Sequence, residues 1–206
     1  MQILMDKGAA VFTIEDAVKI LRAERGYASL FLRRSVGKGT LGVVERGMYY
    51  IKGRANEYEI ASNVVRPSYV SMVSALAYYG LTTQSPIYVY VVSTKRHKPL
   101  RGIEGFDIIF KNIKEGMMFG YHKEANGSIF MADPEKAIVD ILYFNDVNDL
   151  DEDVLMKPPR IDVAKLLRYA KQSNSNRVIT NVEELLGRYS YNAHAENKPQ
   201  KVKKEI

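Results

Sequence analysis

Between residues 14 and 36 the apolar positions follow a helical period, and from residue 41 onward they fall into short β-rich runs. Ala17, Val18, Ile20 and Leu21 recur at near-helical spacing behind Thr13, which with Asp16 makes a capping-box pattern with Asp in place of Glu. A helix over residues 14–23 is predicted. Gly26 breaks the pattern, and residues 27–36 then place Ala28, Phe31, Leu32 and Val36 on one face at 100° per residue. That face is predicted to pack on the preceding helix, leaving Tyr27, Ser29, Leu30, Arg33 and Arg34 on the other. Lys38 and Gly39 turn the chain outward, and Leu41 and Val43 lead into a strand. Glu45, Arg46 and Gly47 suit a tight reversal before residues 48–51 return. Gly47 supplies the positive φ and leaves Arg46 at the tip.

Further along, Pro67 and Ser68 suit a helix start, and residues 69–79 carry Val70, Val73 and Ala77 as a buried stripe. Gly80 ends that helix, with Leu81 free to pack back. Residues 87–92, 106–110, 117–121 and 128–131 read as strands of a small mixed sheet. Asp133 and Pro134 open a helix whose Ala137, Ile138, Ile141 and Leu142 would cover that sheet. Between the 87–92 and 106–110 runs, Lys95, Arg96, Lys98 and Arg101 form a basic loop, read as a second contact for a polyanion or partner or as a solvated segment. The acidic residues 146–153 and then Pro158 and Pro159 mark a linker or exposed loop. Residues 161–170 and 182–186 read as amphipathic helices, the second with Thr180 and Glu183 as a capping box. The predicted organisation is α+β: an N-terminal winged helix-turn-helix over residues 1–55, a mixed α/β domain with a small sheet and covering helices over 56–191, and a basic, disordered tail over 192–206.

Charge sharpens this division. Residues 1–55 hold ten Lys/Arg against five Asp/Glu, residues 56–159 ten against fourteen, and residues 160–206 ten against five. The N-terminal block is therefore net +5 beside a middle of net −4, which localises any surface for a polyanion instead of spreading it along the chain. Solubility alone is the competing explanation of the basic balance. No apolar run approaches the ~20 residues of a membrane span, and the start of the chain lacks signal-peptide features, so a cytoplasmic location without membrane contact is expected. With no cysteine and three scattered histidines, neither a disulfide nor a metal site is expected. A phosphate-binding Gly-rich loop and a Gly-x-Ser-x-Gly elbow are absent, and no paired aspartates follow Gly127 and Ser128. No catalytic residue, no cofactor and no enzyme activity are predicted.

A helix pair followed by a hairpin with a basic tip is the outline of a winged helix-turn-helix. Residues 1–7 leave room only for a short first helix. Arginine can donate two parallel hydrogen bonds to guanine or hold phosphates, and serine and tyrosine hydroxyls reach phosphates or base edges. The candidate DNA-binding residues are therefore Tyr27, Ser29, Arg33 and Arg34 on the helix, with Lys38 and Arg46 on flanking backbone or in a minor groove. The plain alternative makes Arg33 and Arg34 the solvated side of a helix end, where cations also suit the helix dipole.

Four segments together resemble the AbiEi antitoxins of type IV toxin-antitoxin systems and related transcriptional regulators. They are Phe12-Thr13-Ile14-Glu15-Asp16-Ala17; Leu32 through Gly39 into Glu45-Arg46-Gly47-Met48-Tyr49; Pro67-Ser68-Tyr69-Val70-Ser71 with Ser74-Ala75-Leu76-Ala77-Tyr78-Tyr79-Gly80-Leu81-Thr82; and Asp133-Pro134-Glu135-Lys136-Ala137 with Asp140 and Leu142. The resemblance implies a repressor that binds double-stranded promoter or operator DNA of its own operon. It also implies a functional partner, a nucleotidyltransferase-like toxin, which such antitoxins counter without requiring a stable complex. A stand-alone transcription regulator, or a module that binds protein through its winged helix, are the alternatives.

Overall fold

Thr13 ends a strand and starts a helix at the same residue. Its hydroxyl accepts from the Asp16 N–H (3.2 Å) while its own N–H donates to the Asp16 carboxylate (2.9 Å), so the expected capping box forms. Burial alone would raise the Asp16 carboxyl, but the Thr13 hydrogen bonds hold it below the usual carboxylate range. The computed structural model describes residues 9–83, 86–124, 128–151, 154–155 and 161–196. The short first helix expected within residues 1–7 lies outside them. Among the described residues there are two β-sheets and seven α-helices, an α+β architecture.

Strand β1 (Val11–Thr13) leads into α1 (Ile14–Leu21), which Arg22 closes in the left-handed conformation (φ 51°). Helix α2 (Arg25–Gly37) begins two residues before the expected start and includes Gly26, since Glu24 already adopts the extended cap conformation. Strands β2 (Leu41–Glu45) and β3 (Met48–Ile51) form the expected hairpin, with Gly47 at φ +84° in the turn and a bulge between Val43 and Glu45. β1 adds to the far side of β3 as a third strand, pairing Val11 with Tyr50 and Thr13 with Met48.

Side chains alternate across this three-stranded sheet, as a pleat requires. Phe12, Leu41 and Ile51 join Ile14, Ala17 and Leu32 in a small core with α1 and α2, whereas Val11, Val44 and Tyr50 face the other way into the main core. The small sheet thus feeds both cores, and burial of its fully buried large apolar residues contributes roughly 1.5–3 kcal/mol each.

The main core is built on a mixed six-stranded sheet. Helix α3 (Glu57–Asn63), capped by Asn56, precedes β4 (Ser68–Val70), and α4 (Met72–Tyr78) follows at once. The helix expected over residues 69–79 is therefore shorter, and its first turn is a central strand. Ser68, Tyr69 and Val70 pair with Ser93, Val92 and Val91 on one side, and Val70 with Met131 on the other. A strand buried on both faces has no period-2 signature, so its apolar residues also fitted a helical stripe. Met72 takes a left-handed φ of 57° to turn the chain sharply from strand to helix. Leu81 packs back fully buried, its N–H on the Leu76 carbonyl.

Strands β5 (Tyr88–Ser93), β6 (Leu100–Ile103), β7 (Phe106–Asn112), β8 (Tyr121–Glu124) and β9 (Ile129–Ala132) complete the sheet in the order β6-β7-β5-β4-β9-β8. The 117–121 strand is displaced: residues Glu115–Met117 make a 3-10 turn, and pairing begins only at Tyr121. Arg101, read as part of a loop, sits on β6 and pairs with Asp107 at 2.8 Å.

Helix α5 (Pro134–Phe144) does more than cover the sheet with one face, because Glu135 through Leu142 are all buried, Lys136 and Asp140 included. α4, α6 (Val163–Gln172) and α7 (Asn176–Glu196) enclose its other sides. Thr180 lies inside α7, so no capping box forms there, and α7 runs five residues into the expected tail; residues 197–206 lie outside the described ones. Of the expected acidic linker, Asp146 is paired with Lys111 (2.6 Å) and Asp151 accepts from Thr83, while Pro158 and Pro159 are outside the described residues.

β8 is tied to α5 by His122, whose Nδ1 lies 2.7 Å from Asp133 and Nε2 2.8 Å from Glu124. Partial burial would lower the imidazole, but the two carboxylates outweigh it and raise its pKa above the ordinary 6.5. A folded pKa above the unfolded one gives stability that is full below about 6.5 and lost as pH rises through the folded value. Wild type is therefore expected to exceed His122→Gln in urea midpoint at pH 6, with the gap closing by pH 8.5. A gap that is constant or widens with pH would refute the assignment.

Candidate nucleic-acid interface

The inner face of α2 is spent on packing, with Ala28 and Leu32 fully buried and the Ser35 hydroxyl returned to the Phe31 carbonyl at 2.9 Å. Phe31 and Val36 are half-buried beside them. What remains outside is the face expected from the sequence. Tyr27 is 63% exposed, Ser29, Arg33 and Arg34 are exposed, and Leu30 is half-buried. Lys38 is the C-cap residue of α2, exposed, with its N–H on the Arg34 carbonyl. Arg46 is exposed in the hairpin turn.

These residues lie on two elements joined through a third. The Ile14 N–H, first in α1, donates to the Gly47 carbonyl at 2.9 Å, which fastens the hairpin turn to α1, and α1 packs on α2. Among the described residues Arg33, Arg34, Lys38 and Arg46 have no carboxylate partner, whereas the neighbouring Arg25 is paired with Glu15. An unpaired guanidinium keeps all its donors for an incoming anion.

Three contacts from the hairpin to the connections of the main sheet were not foreseen from the sequence. Glu45 at the end of β2 lies 3.3 Å from His97 Nε2. At the other end of the hairpin, the Tyr50 hydroxyl donates to Glu104 (2.6 Å) and Lys52 pairs with the same carboxylate (2.9 Å). Burial, followed by the hydrogen bond to Glu104 and then its charge, pushes the Tyr50 hydroxyl far above the ordinary tyrosine value, so it stays a donor. The hydrogen bonds from Tyr50 and Lys52 hold the Glu104 carboxyl down. These links fasten the hairpin to the β5–β6 and β6–β7 connections of the main sheet. A charge pattern alone gives no hint of them, since the partners are far apart in sequence and joined only by the fold.

Comparison of the chain with models of known protein families finds no match, and comparison with curated proteins finds none either. Among the described residues no helix is long and apolar enough to cross a membrane.

Proposed function

We propose that this chain is a DNA-binding transcription regulator whose first 55 residues work as a winged helix-turn-helix. The observation that carries the reading is the exposed, unpaired set Arg33, Arg34, Lys38 and Arg46 on a helix and hairpin whose other faces are buried. α2 is the recognition helix, entering the major groove with Tyr27, Ser29, Arg33 and Arg34. Lys38 holds adjacent phosphates, and Arg46 lies on the backbone or in the minor groove. The third strand beside the hairpin and the fastening of its turn to α1 support this use, since a wing must hold a fixed position relative to the helix it flanks.

In the fuller reading, suggested by the AbiEi-like segments, the protein represses its own operon and its second unit counters a nucleotidyltransferase-like toxin. A neighbouring nucleotidyltransferase-like gene supports that reading and its absence leaves a stand-alone regulator. The test of DNA binding is a salt titration against duplex DNA from the region upstream of the gene. Affinity is expected to fall steeply with salt, and Arg46→Ala is expected to reduce the log–log slope by about 0.9 for its one phosphate contact. Absence of binding at low salt would leave a protein partner as the occupant of the α2 face.

A further inference from the structure

The loop between β5 and β6, residues 94–99, belongs to the second unit in sequence but is held against the hairpin of the first. Its geometry is fixed from both sides. The Ser93 hydroxyl accepts the Lys95 N–H (3.0 Å) and donates to the Pro67 carbonyl (2.7 Å), and the Asn112 amide holds the Thr94 carbonyl (2.9 Å). The His97 ring sits 4.5 Å from Phe110, its Nδ1 is 2.7 Å from the Lys98 carbonyl, and its Nε2 faces Glu45, the residue next to Arg46. With His97 turned inward, its neighbours Lys95, Arg96 and Lys98 are exposed, and among the described residues none of the three has a carboxylate partner. Arg101, which the charge pattern groups with them, is instead paired with Asp107 on the neighbouring strand.

We infer that this loop is a phosphate clamp: Lys95, Arg96 and Lys98 extend the DNA-binding surface from the hairpin onto the second unit and hold the duplex backbone beside the segment that Arg46 touches. The inference rests on the DNA-binding reading of the first unit. A duplex presents a negative charge about every 1.7 Å of its axis, so a polyanion lying on Arg46 runs on past an adjoining loop of three cations. Because the hydrogen bonds around Ser93, Asn112 and His97 already hold the loop backbone, binding has only the cationic side chains left to order. Contacts of this type bind backbone and carry no base preference. A loop that is merely solvated would add only the general attraction of three distant charges.

The experiment is a salt titration of the full chain against its upstream duplex in three proteins. These are wild type, Lys95→Ala/Arg96→Ala/Lys98→Ala, and a charge-matched control, Lys123→Ala/Lys171→Ala/Arg188→Ala, whose sites lie on the opposite edge strand β8 and on α6 and α7. The loop variant is expected to lose about 2–3 from the log–log slope, about 0.9 per contact, with its ranking of operator against scrambled duplex unchanged. The control is expected to lose less than 1. An unchanged slope in the loop variant, or equal losses in both variants, overturns the clamp while wild-type binding keeps the DNA reading intact. A wild type that binds no duplex fails the DNA reading itself. Arg96→Glu guards against a folding artefact, because one exposed reversal must weaken binding in the same direction.

Discussion

Lys136→Met is expected to destabilise the protein by about 3–5 kcal/mol near neutral pH, the cost of leaving a buried charge without its partner. Lys136 and Asp140 stand one turn apart on α5, and both side chains are completely buried. The Asp140 carboxylate takes Lys136 on one oxygen, and on the other it accepts from the Ser71 hydroxyl (2.7 Å) and the Tyr69 hydroxyl (3.1 Å). The Lys136 ammonium also lies 4.6 Å from the Phe119 ring centroid and 5.6 Å from that of Tyr69. Burial pushes the Asp140 carboxyl up and the Lys136 ammonium down, and each draws the other part of the way back. Without Lys136 the upward push of burial on Asp140 is opposed only by the Ser71 and Tyr69 hydrogen bonds. Its folded pKa then stands further above the unfolded value, so the variant loses stability as pH rises through that interval and is least impaired in acid. Lys136→Met/Asp140→Asn removes both charges and keeps an acceptor for Ser71 and Tyr69, and is expected to regain most of the loss. Guanidinium midpoints at pH 5 and 8 decide this. A single variant as stable as wild type, or a double variant no better than the single one, would show that the pair is not coupled as described.

The same cluster shows where sequence reading succeeds and where it stops. The Thr13–Asp16 box, the Gly47 turn and the division of α2 into packed and exposed faces depend on residues within a few positions of each other, and local chemistry determines them. Ala137, Ile138, Ile141 and Leu142 were legible as an apolar stripe for the same reason. Lys136 and Asp140 were not legible as core, because an i, i+4 pair of opposite charges is the ordinary dress of a solvated helix face. Only the enclosure of α5 by α4, α6, α7 and the sheet makes it an interior pair. β4 escaped because a strand covered on both sides loses its alternation. At the candidate interface the six expected residues are all exposed, yet the sequence was silent on what fixes them: Tyr50 and Glu104 are 54 residues apart. Likewise the sequence left the loop of Lys95, Arg96 and Lys98 open between a contact and a solvated segment, and gave no sign of the His97–Glu45 link that holds it against the hairpin.

Gly42→Ala is expected to cost about 1–3 kcal/mol, although alanine suits a strand better than glycine and no positive φ protects the position. Gly42 is opposite Tyr50 in the β2–β3 ladder, and the Tyr50 ring lies across it so closely that an added Cβ would stand 1.9 Å from the ring carbon bearing the hydroxyl. The ring would have to swing away, and because Tyr50 is only 5% exposed, that movement takes it out of the main core and breaks its hydrogen bond to Glu104. A hydrogen bond to a charged acceptor contributes about 1.5–3 kcal/mol, which sets the scale of the loss. The clash therefore exists only while Tyr50 is present. In a Tyr50→Ala background the same Gly42→Ala change is expected to be neutral or slightly stabilising, so the double-mutant cycle must show strong coupling. Equal costs in the two backgrounds would mean that the ring is not what demands glycine. The consequence reaches function under the proposed reading. Tyr50 and Lys52 anchor one end of the hairpin to Glu104 and Glu45 anchors the other to His97, so releasing the Tyr50 end loosens Arg46 relative to the 94–99 loop. Gly42→Ala should then weaken DNA binding although it removes no cation, and it should do so without changing the number of phosphates neutralised in the complex, leaving the salt slope where it was.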